Sequence, residues 1–331
     1  MTRYPTQDNA GGIWKLPDIA NHHLGGFWPD HGSKALTSGG LTPSVSNVID
    51  FFTISTTGNA SDFGDLHTGL QGAADFSSKT HHFSAGGSTP TGVNNIQFVA
   101  FASTGNAADF GDCTVVRVNN GGASNSTRGI SVGGADSATN ANVMDYVTMQ
   151  STGNALDFGD LSTSRNNTTG ASNPTRALYA GGYRSGLCTD MDIVTIATLG
   201  NALDFGDLLG NNGNFGASTN SYRGVFSGGA NPGEVNVIQY FTFQSAGNAM
   251  DFGDLITARS GMMGTSSGPR GVAIGGVVSG TNKNEIEYFT MTTCGDGTDF
   301  GDLSVARREA SSSSDSHGGL ANGADRSSLL Q

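Results

Sequence analysis

Charge is scarce in this chain: Asp, Glu, Lys and Arg make up 13% of 331 residues, against roughly 25% in average proteins. Positive charge is scarcest, with 16 Lys plus Arg set against 28 acidic residues and a net charge of −12. A nucleic-acid partner is therefore not expected, because phosphate contacts need a basic face. No apolar run approaches the roughly 18 residues of a spanning helix, so membrane insertion is not expected either. The opening Met-Thr-Arg-Tyr-Pro-Thr-Gln lacks an apolar core, which predicts no secretory signal. Cysteine is limited to Cys113, Cys188 and Cys294, too few and too scattered for a disulfide framework.

Small residues fill the space that charge leaves, 51 glycines among them, and they recur in register. The stretch Gly58-Asn-Ala-Ser-Asp-Phe-Gly-Asp-Leu66 returns five times with small changes. Its Phe falls at Phe63, Phe110, Phe158, Phe205, Phe252 and Phe300, in steps of 47, 48, 47, 47 and 48. Spacing held that tightly marks one supersecondary unit copied in tandem, and this period suits a four-stranded propeller blade. The repeat covers nearly the whole chain, so 1–331 reads as a single domain. Cys113 stands where the other copies have Leu, and a buried thiol is expected there.

A Gly-Gly pair closes a short apolar strand in each unit, as in Arg128-Gly-Ile-Ser-Val-Gly-Gly134 and Arg176-Ala-Leu-Tyr-Ala-Gly-Gly182. Similar strands begin at Lys34, His81, Arg223 and Arg270, and the pairs are expected to turn at positive φ. A weaker seventh copy is His317-Gly-Gly-Leu-Ala-Asn-Gly323. After a variable loop comes a strand such as Asn47-Val-Ile-Asp-Phe-Phe-Thr-Ile54, apolar on both faces and suited to packing between blades. Thr-Gly-Asn-Ala then predicts a tight hairpin with Gly58 and Asn59 at positive φ. The Asp-Phe-Gly-Asp strand closes the unit, with a bend expected at Gly64. Segments such as Gly121-Gly-Ala-Ser-Asn125 carry only small side chains, as an innermost strand near a propeller axis requires.

The resulting expectation is an all-β propeller of four-stranded blades. Six whole units plus a shared one favour seven blades, with Gly11-Gly-Ile-Trp-Lys-Leu16 completing a last blade built from the C-terminal residues. Six blades with irregular ends is the alternative.

The most repeated chemistry is carboxylate. Asp62 and Asp65, with their counterparts, are twelve of the 28 acidic residues. Calcium needs six to eight oxygens, more than one Asp-x-x-Asp supplies, so no metal is expected. The structural reading is that one Asp caps the hairpin and the other pairs with a repeated Arg. Eight of twelve arginines sit at two repeat positions: Arg117, Arg165, Arg259 and Arg307, then Arg128, Arg176, Arg223 and Arg270. Asp-Phe-Gly is also a kinase magnesium motif, but six copies without its partner motifs make a false match. The pairs His22-His23 and His81-His82 would face opposite sides of a strand, a poor metal arrangement. No Ser-His-Asp or paired-carboxylate signature stands apart from the repeat, so no cofactor and no enzymatic role are expected. The variation sits in the loops after each Gly-Gly, at 41–46, 88–93, 135–141, 183–189, 230–234 and 277–283. These loops share one face, and Tyr183, Arg184, Asn231, Glu234, Asn282 and Lys283 are its candidate binding residues.

The strand order, with Arg following the closing strand, resembles the kelch repeat, although Phe stands where kelch repeats usually carry Trp. The six cores, the Arg-led Gly-Gly strands, Ala10-Gly-Gly-Ile-Trp14 and Trp28-Pro29 together resemble kelch-like virion proteins of marine bacteriophages that infect cyanobacteria. That resemblance implies a structural or tail-fibre-like protein located in the virion, with other virion proteins as partners. It also implies recognition of a host-surface glycan or protein. Decoration or connector proteins of the particle, and propeller enzymes that degrade surface polysaccharide, are the alternatives.

Overall fold

In the computed structural model, which describes residues 33–136 and 139–320, the chain forms six four-stranded antiparallel sheets and no helix. Blade 2 runs from the axis outward as Ala74–Ser77, His81–Ala85, Asn95–Ala100 and Ala108–Asp112. Blades 3 to 6 repeat this order from inner strands Gly121–Ser124, Thr169–Ser172, Gly216–Thr219 and Met263–Ser266. Blade 1 is composite. Lys34–Ser38, Val48–Thr53 and Ser61–Asp65 receive their inner strand from Ser311–Ser314, which pairs with Lys34–Ser38 from Ala35↔Ser314 to Ser38↔Ser311.

The protein is thus a six-bladed β-propeller, the alternative that the sequence left open, and the expectation of seven blades is corrected. The C-terminal small-polar strand does close the ring, as anticipated, but by completing blade 1 rather than by starting another blade. Between the inner strands of blades 6 and 2 there is room for one strand. The Ser314 hydroxyl donates to Ser266 O at 2.6 Å, and the Ser77 hydroxyl donates to Ser314 O at 2.6 Å. The described part of the seventh copy, His317 to Leu320, is not a strand: residues 315–320 form turns. The segment Gly11-Gly-Ile-Trp-Lys-Leu16, together with His22-His23 and Trp28, lies outside the described residues.

Hydrophobic burial is divided among six interfaces. Each core joins one blade to the next, as where Leu36, Ile49, Phe63 and Leu66 of blade 1 meet Val99, Phe101 and Ala107 of blade 2. The Phe of every Asp-Phe-Gly-Asp copy lies in such a core and is at most 4% exposed. It gets there through a β-bulge. Ile49 pairs with Gly64 and Asp50 with Asp62, so Phe63 is the extra residue and turns inward. Gly64 follows at φ +151°, and its five counterparts share that conformation.

The Gly-Asn-Ala segment joins blades. Gly105 N–H donates to Phe63 O at 2.9 Å, Ala107 N–H to Asp65 O at 2.8 Å, and Asn106 Oδ1 accepts from Asp65 N–H at 3.0 Å. The same three bonds occur at all six interfaces, including Gly58 to Phe300 O, Ala60 to Asp302 O and Asp302 to Asn59 Oδ1 across the closing seam. The two glycine backbones meet so closely that a Cβ on Gly159, Gly206, Gly253 or Gly301 would stand 2.5 Å from the neighbouring glycine oxygen. Gly58 has φ +154° as expected, whereas Asn59 does not take positive φ and uses its side chain as the acceptor of this latch.

The arginine pairing is also corrected. Asp62 and its counterparts are exposed, and Asp65 is half-buried without an arginine partner among the described residues. Arg117, Arg165, Arg259 and Arg307 are fully buried instead against the third strand of the next blade. Arg117 Nη2 meets Asp145 at 2.5 Å, Arg165 meets Asp192 at 3.1 Å, Arg259 meets Glu287 at 2.6 Å, and Arg307 pairs with Asp50. Each carboxylate also accepts from the chain leaving the preceding blade, as Thr114 N–H and Oγ1 do with Asp145 at 3.1 and 2.5 Å. Blades 2 and 5 keep the geometry with neutral groups. Leu70 and Asn212 replace the arginine, and Gln97 and Gln239 replace the carboxylate, with Gln97 bonded to Thr68 N–H and O at 2.9 Å each. Arg128, Arg176 and Arg270 bridge blades differently, donating to Ile196 O, Phe243 O and Ile54 O at 2.6 to 2.8 Å. Arg128, Arg223 and Arg270 also stack on Tyr146, Tyr240 and Tyr288 at 4.3 to 4.5 Å.

A buried charge left without its partner costs roughly 3–5 kcal/mol, whereas a neutral pair of similar shape is tolerated. Asp145→Asn is therefore expected to destabilise by about that amount in urea unfolding. The double variant Arg117→Leu/Asp145→Gln, which copies Leu70 and Gln97 of blade 2, is expected to recover most of the loss. A double variant as unstable as the single one would contradict this.

Candidate binding face and axial channel

The Gly-Gly loops and the linkers between blades emerge on one face, the Gly-Asn-Ala turns on the other. Both glycines of each pair have positive φ, as the sequence suggested. The second donates to the linker of the next blade, as Gly134 N–H does to Arg165 O at 2.9 Å and Gly276 N–H to Arg307 O at 2.9 Å. Short ribbons such as Ala230–Asn231 with Gly233–Glu234 support three of the loops. The variable loops are consequently mounted on a rigid, repeated frame.

Several of the candidate binding residues stitch neighbouring loops together. Asn140 Nδ2 donates to the carbonyls of Tyr183 at 2.9 Å and Arg184 at 3.2 Å, fixing the blade 4 loop to blade 3. Arg184 pairs with Asp190 at 3.3 Å, and Asp190 also lies 3.5 Å from the buried Arg165. Glu234 accepts from Ser279 N–H at 3.0 Å, and Asn282 donates to Leu41 O at 2.8 Å while accepting from Arg308 at 3.2 Å. Lys283 pairs with Glu285 at 3.4 Å. Asn231 is exposed on its ribbon. Tyr183 and Arg184 are each 46% exposed, and the Tyr183 backbone is clamped by Asn140.

Sequence reasoning missed the structure of the axis. At the loop face the chain passes through Gly72, Asn119, Asn167, Asn214, Gly261 and Glu309, all at φ between 53° and 61°. Their backbones follow one another around the mouth: Asn119 N–H donates to Gly72 O at 2.6 Å, Asn167 N–H to Asn119 O at 2.8 Å, Asn214 N–H to Asn167 O at 3.5 Å, Met262 N–H, beside Gly261, to Asn214 O at 3.3 Å, and Glu309 N–H to Gly261 O at 3.0 Å. Gly72 N–H closes the circle on Glu309 O at 2.8 Å. At the opposite end, the last residues of the inner strands make a second circle, in which hydroxyls join five of the six junctions. Ser124 donates to Ser77 O at 2.8 Å, Ser172 to Ser124 O at 2.7 Å, and Ser266 to Thr219 O at 2.7 Å. The two circles bound a channel with a cavity of about 130 Å³.

Residues 315–320 plug the lower end. Gly318 N–H donates to Thr219 O and Oγ1 at 3.1 and 3.0 Å, and His317 Nε2 lies 3.3 Å from Ser124 Oγ and 3.4 Å from Ser77 O. A Cβ at Gly319 would strike Ser124 O, which accounts for a Gly-Gly here without a strand. Burial pulls the His317 imidazole down to about 4, so it bonds as a neutral group. His82 is likewise pulled down to about 3 by burial, and it ties the seam by bonding Ser38 Oγ at 2.8 Å and Ser313 Oγ at 2.6 Å. His81 faces the other way and packs on Phe98. Cys113 is buried as expected, its thiol pushed up to about 11 by that burial.

Among the described residues, no three His, Cys, Asp or Glu side chains converge in a way that would hold a metal ion. No family model and no curated protein matches the chain.

Glu309 is the one large side chain in the left-handed circle, where a residue other than Gly or Asn costs roughly 1–2 kcal/mol. Glu309→Gly is expected to raise stability by about 1 kcal/mol in chemical denaturation. A loss of stability would show instead that the half-buried carboxylate holds the mouth together.

Proposed function

We propose that this protein is a non-enzymatic recognition module of a phage particle, a propeller carried on the tail or a fibre that contacts a host-surface glycan or protein through its loop face. The observation that carries this reading is the contrast between frame and loops. The frame repeats at all six interfaces, bond for bond in the Gly-Asn-Ala latch, while the loops it holds differ from blade to blade. Conservative support with divergent tips is how a scaffold presents binding residues. Tyr183 and Arg184 suit such a role, since a rigid aromatic supplies contact area at low entropic cost and a guanidinium supplies directed donors.

A second reading, a connector or decoration protein docking other virion subunits, draws on the opposite face. There Leu156, Leu203 and Met250, each the first residue of an outer strand, and the nearby Leu199 are exposed on consecutive blades 3 to 5. In blades 1, 2 and 6 the outer strand begins with Ser61, Ala108 and Thr298.

The two readings separate experimentally. Immobilised host-surface glycans and envelope proteins are expected to retain the wild type and to lose at least tenfold in affinity for Tyr183→Ala, with no release of reducing sugar. Unchanged binding by Tyr183→Ala, together with loss in a Leu199→Ser/Leu203→Ser variant, would favour the connector. Release of reducing sugar would overturn the non-enzymatic reading, and absence of label from immunogold-stained particles would overturn both virion roles.

A further inference from the structure

One side chain in the axial channel breaks the repeat. Asp75, in the inner strand Ala74–Ser77, occupies the layer between the two circles. Its counterparts are Gly122, Gly170, Ala217, Gly264 and Ser312, at the same steps of 47 or 48 residues. These small residues are required where inner strands pass closely, since a Cβ on Gly122 would strike Asp75 O and one on Gly170 would strike Gly122 O. A carboxylate has been placed where five other blades keep nothing longer than a hydroxymethyl.

The fold does not supply this carboxylate with a cation. Asp50, Asp145, Asp192 and Glu287, the buried acids, each have an arginine, whereas no ion pair reaches Asp75, half-buried on the channel wall, among the described residues. Burial raises it to about 7, although the backbone N–H groups of Ser312 and of Asp75 itself act to lower it. The other titratable groups that line the cavity are Glu309 at the mouth, which is 3.6 Å from Arg308, and the neutral His317 at the floor. Neither Lys nor Arg lines it. A desolvated carboxylate without a cation costs stability, and one kept in an acceptor-rich cavity points to a ligand that carries the missing positive charge.

We propose that the axial channel binds a primary ammonium group, held by the Asp75 carboxylate and entering from the loop face. Entry from below is closed by residues 315–320. An ammonium group has three donors and no acceptor, which matches one carboxylate and a surround of hydroxyl and amide oxygens. Calcium would require six to eight oxygens, and no second carboxylate shares the layer of Asp75. A cavity of about 130 Å³ admits the amine and a short alkyl stem. This site is independent of the recognition role proposed for the loop tips.

The test is thermal melting of the wild type, Asp75→Asn and Asp75→Ser, titrated with methylammonium chloride at pH 8 against sodium and calcium chloride at equal ionic strength. A saturable rise in melting temperature is expected for the wild type with methylammonium, weakened at least tenfold in apparent affinity in both variants. The serine variant, which copies Ser312 of blade 1, also reports on the free protein. A carboxylate whose folded value lies above its ordinary 3.8 costs stability as it ionises, so the cost is absent below that pH and full above about 7. Asp75→Ser without amine is therefore expected to melt above the wild type at pH 8 and to lose that advantage near pH 4. No saturable amine effect, an equal effect in the Asn variant, a calcium effect that exceeds the amine effect, or a serine variant less stable than the wild type at pH 8 would each overturn the proposal.

Discussion

The docking of each Gly-Asn-Ala segment on the Asp-Phe-Gly-Asp strand of the preceding blade is the contact on which this ring depends. Three hydrogen bonds pass from blade to blade at every interface, and the bulge that permits them also turns the Phe into the hydrophobic core beneath. One motif thus makes the polar latch and the apolar filling of the same seam. The glycine in it is fixed by both demands, a positive φ and a neighbouring backbone too close for a Cβ. Buried arginines then fasten the linkers in four blades, and amides or apolar groups do so in two. The neutral blades indicate that shape and hydrogen bonding at this position matter more to the fold than charge does.

Because each blade's latch lies on its neighbour, no blade is complete until the ring closes. Closure falls to four serines, Ser311–Ser314, near the end of the described chain. They make the inner strand of blade 1, join the hydroxyl circle on both sides, and share a hydrogen bond with His82 of blade 2. Such a short strand can serve because its side chains are small, polar and fully bonded. The turns that follow it return across the axis and seal one end of the channel.

Much of this architecture was legible in the sequence. The period, the Gly-Gly turns, the small inner strands and the two-faced third strand all led to the blade as observed. The blade number was legible only as the alternative of six, because His317-Gly-Gly imitates a Gly-Gly strand while being shaped by close packing at the axis. The arginine partners were misassigned to the abundant Asp-Phe-Gly-Asp carboxylates. The signal was nonetheless present, since Asp50, Asp145, Asp192 and Glu287 occur in the blades that follow an arginine, and Gln97 and Gln239 in the two that do not. Asp75 was readable as a single acid in a row of small residues, but only after the inner strands had been aligned to one another. The loop residues resisted reading for a different reason. Their bonds, such as Asn140 to Tyr183, join segments some forty residues apart that share no repeat position.

Native-state hydrogen exchange at the latch amides tests the account most directly. Gly58, Gly105, Gly153, Gly200, Gly247 and Gly295 each donate to the preceding blade. If the C-terminal strand closes the ring as firmly as the other interfaces are held, Gly58, which spans the seam between blades 6 and 1, exchanges as slowly as the other five, at the free energy of global unfolding. Faster exchange at Gly58 alone would show that the ring opens at that seam, and that the six interfaces do not act as one cooperative structure.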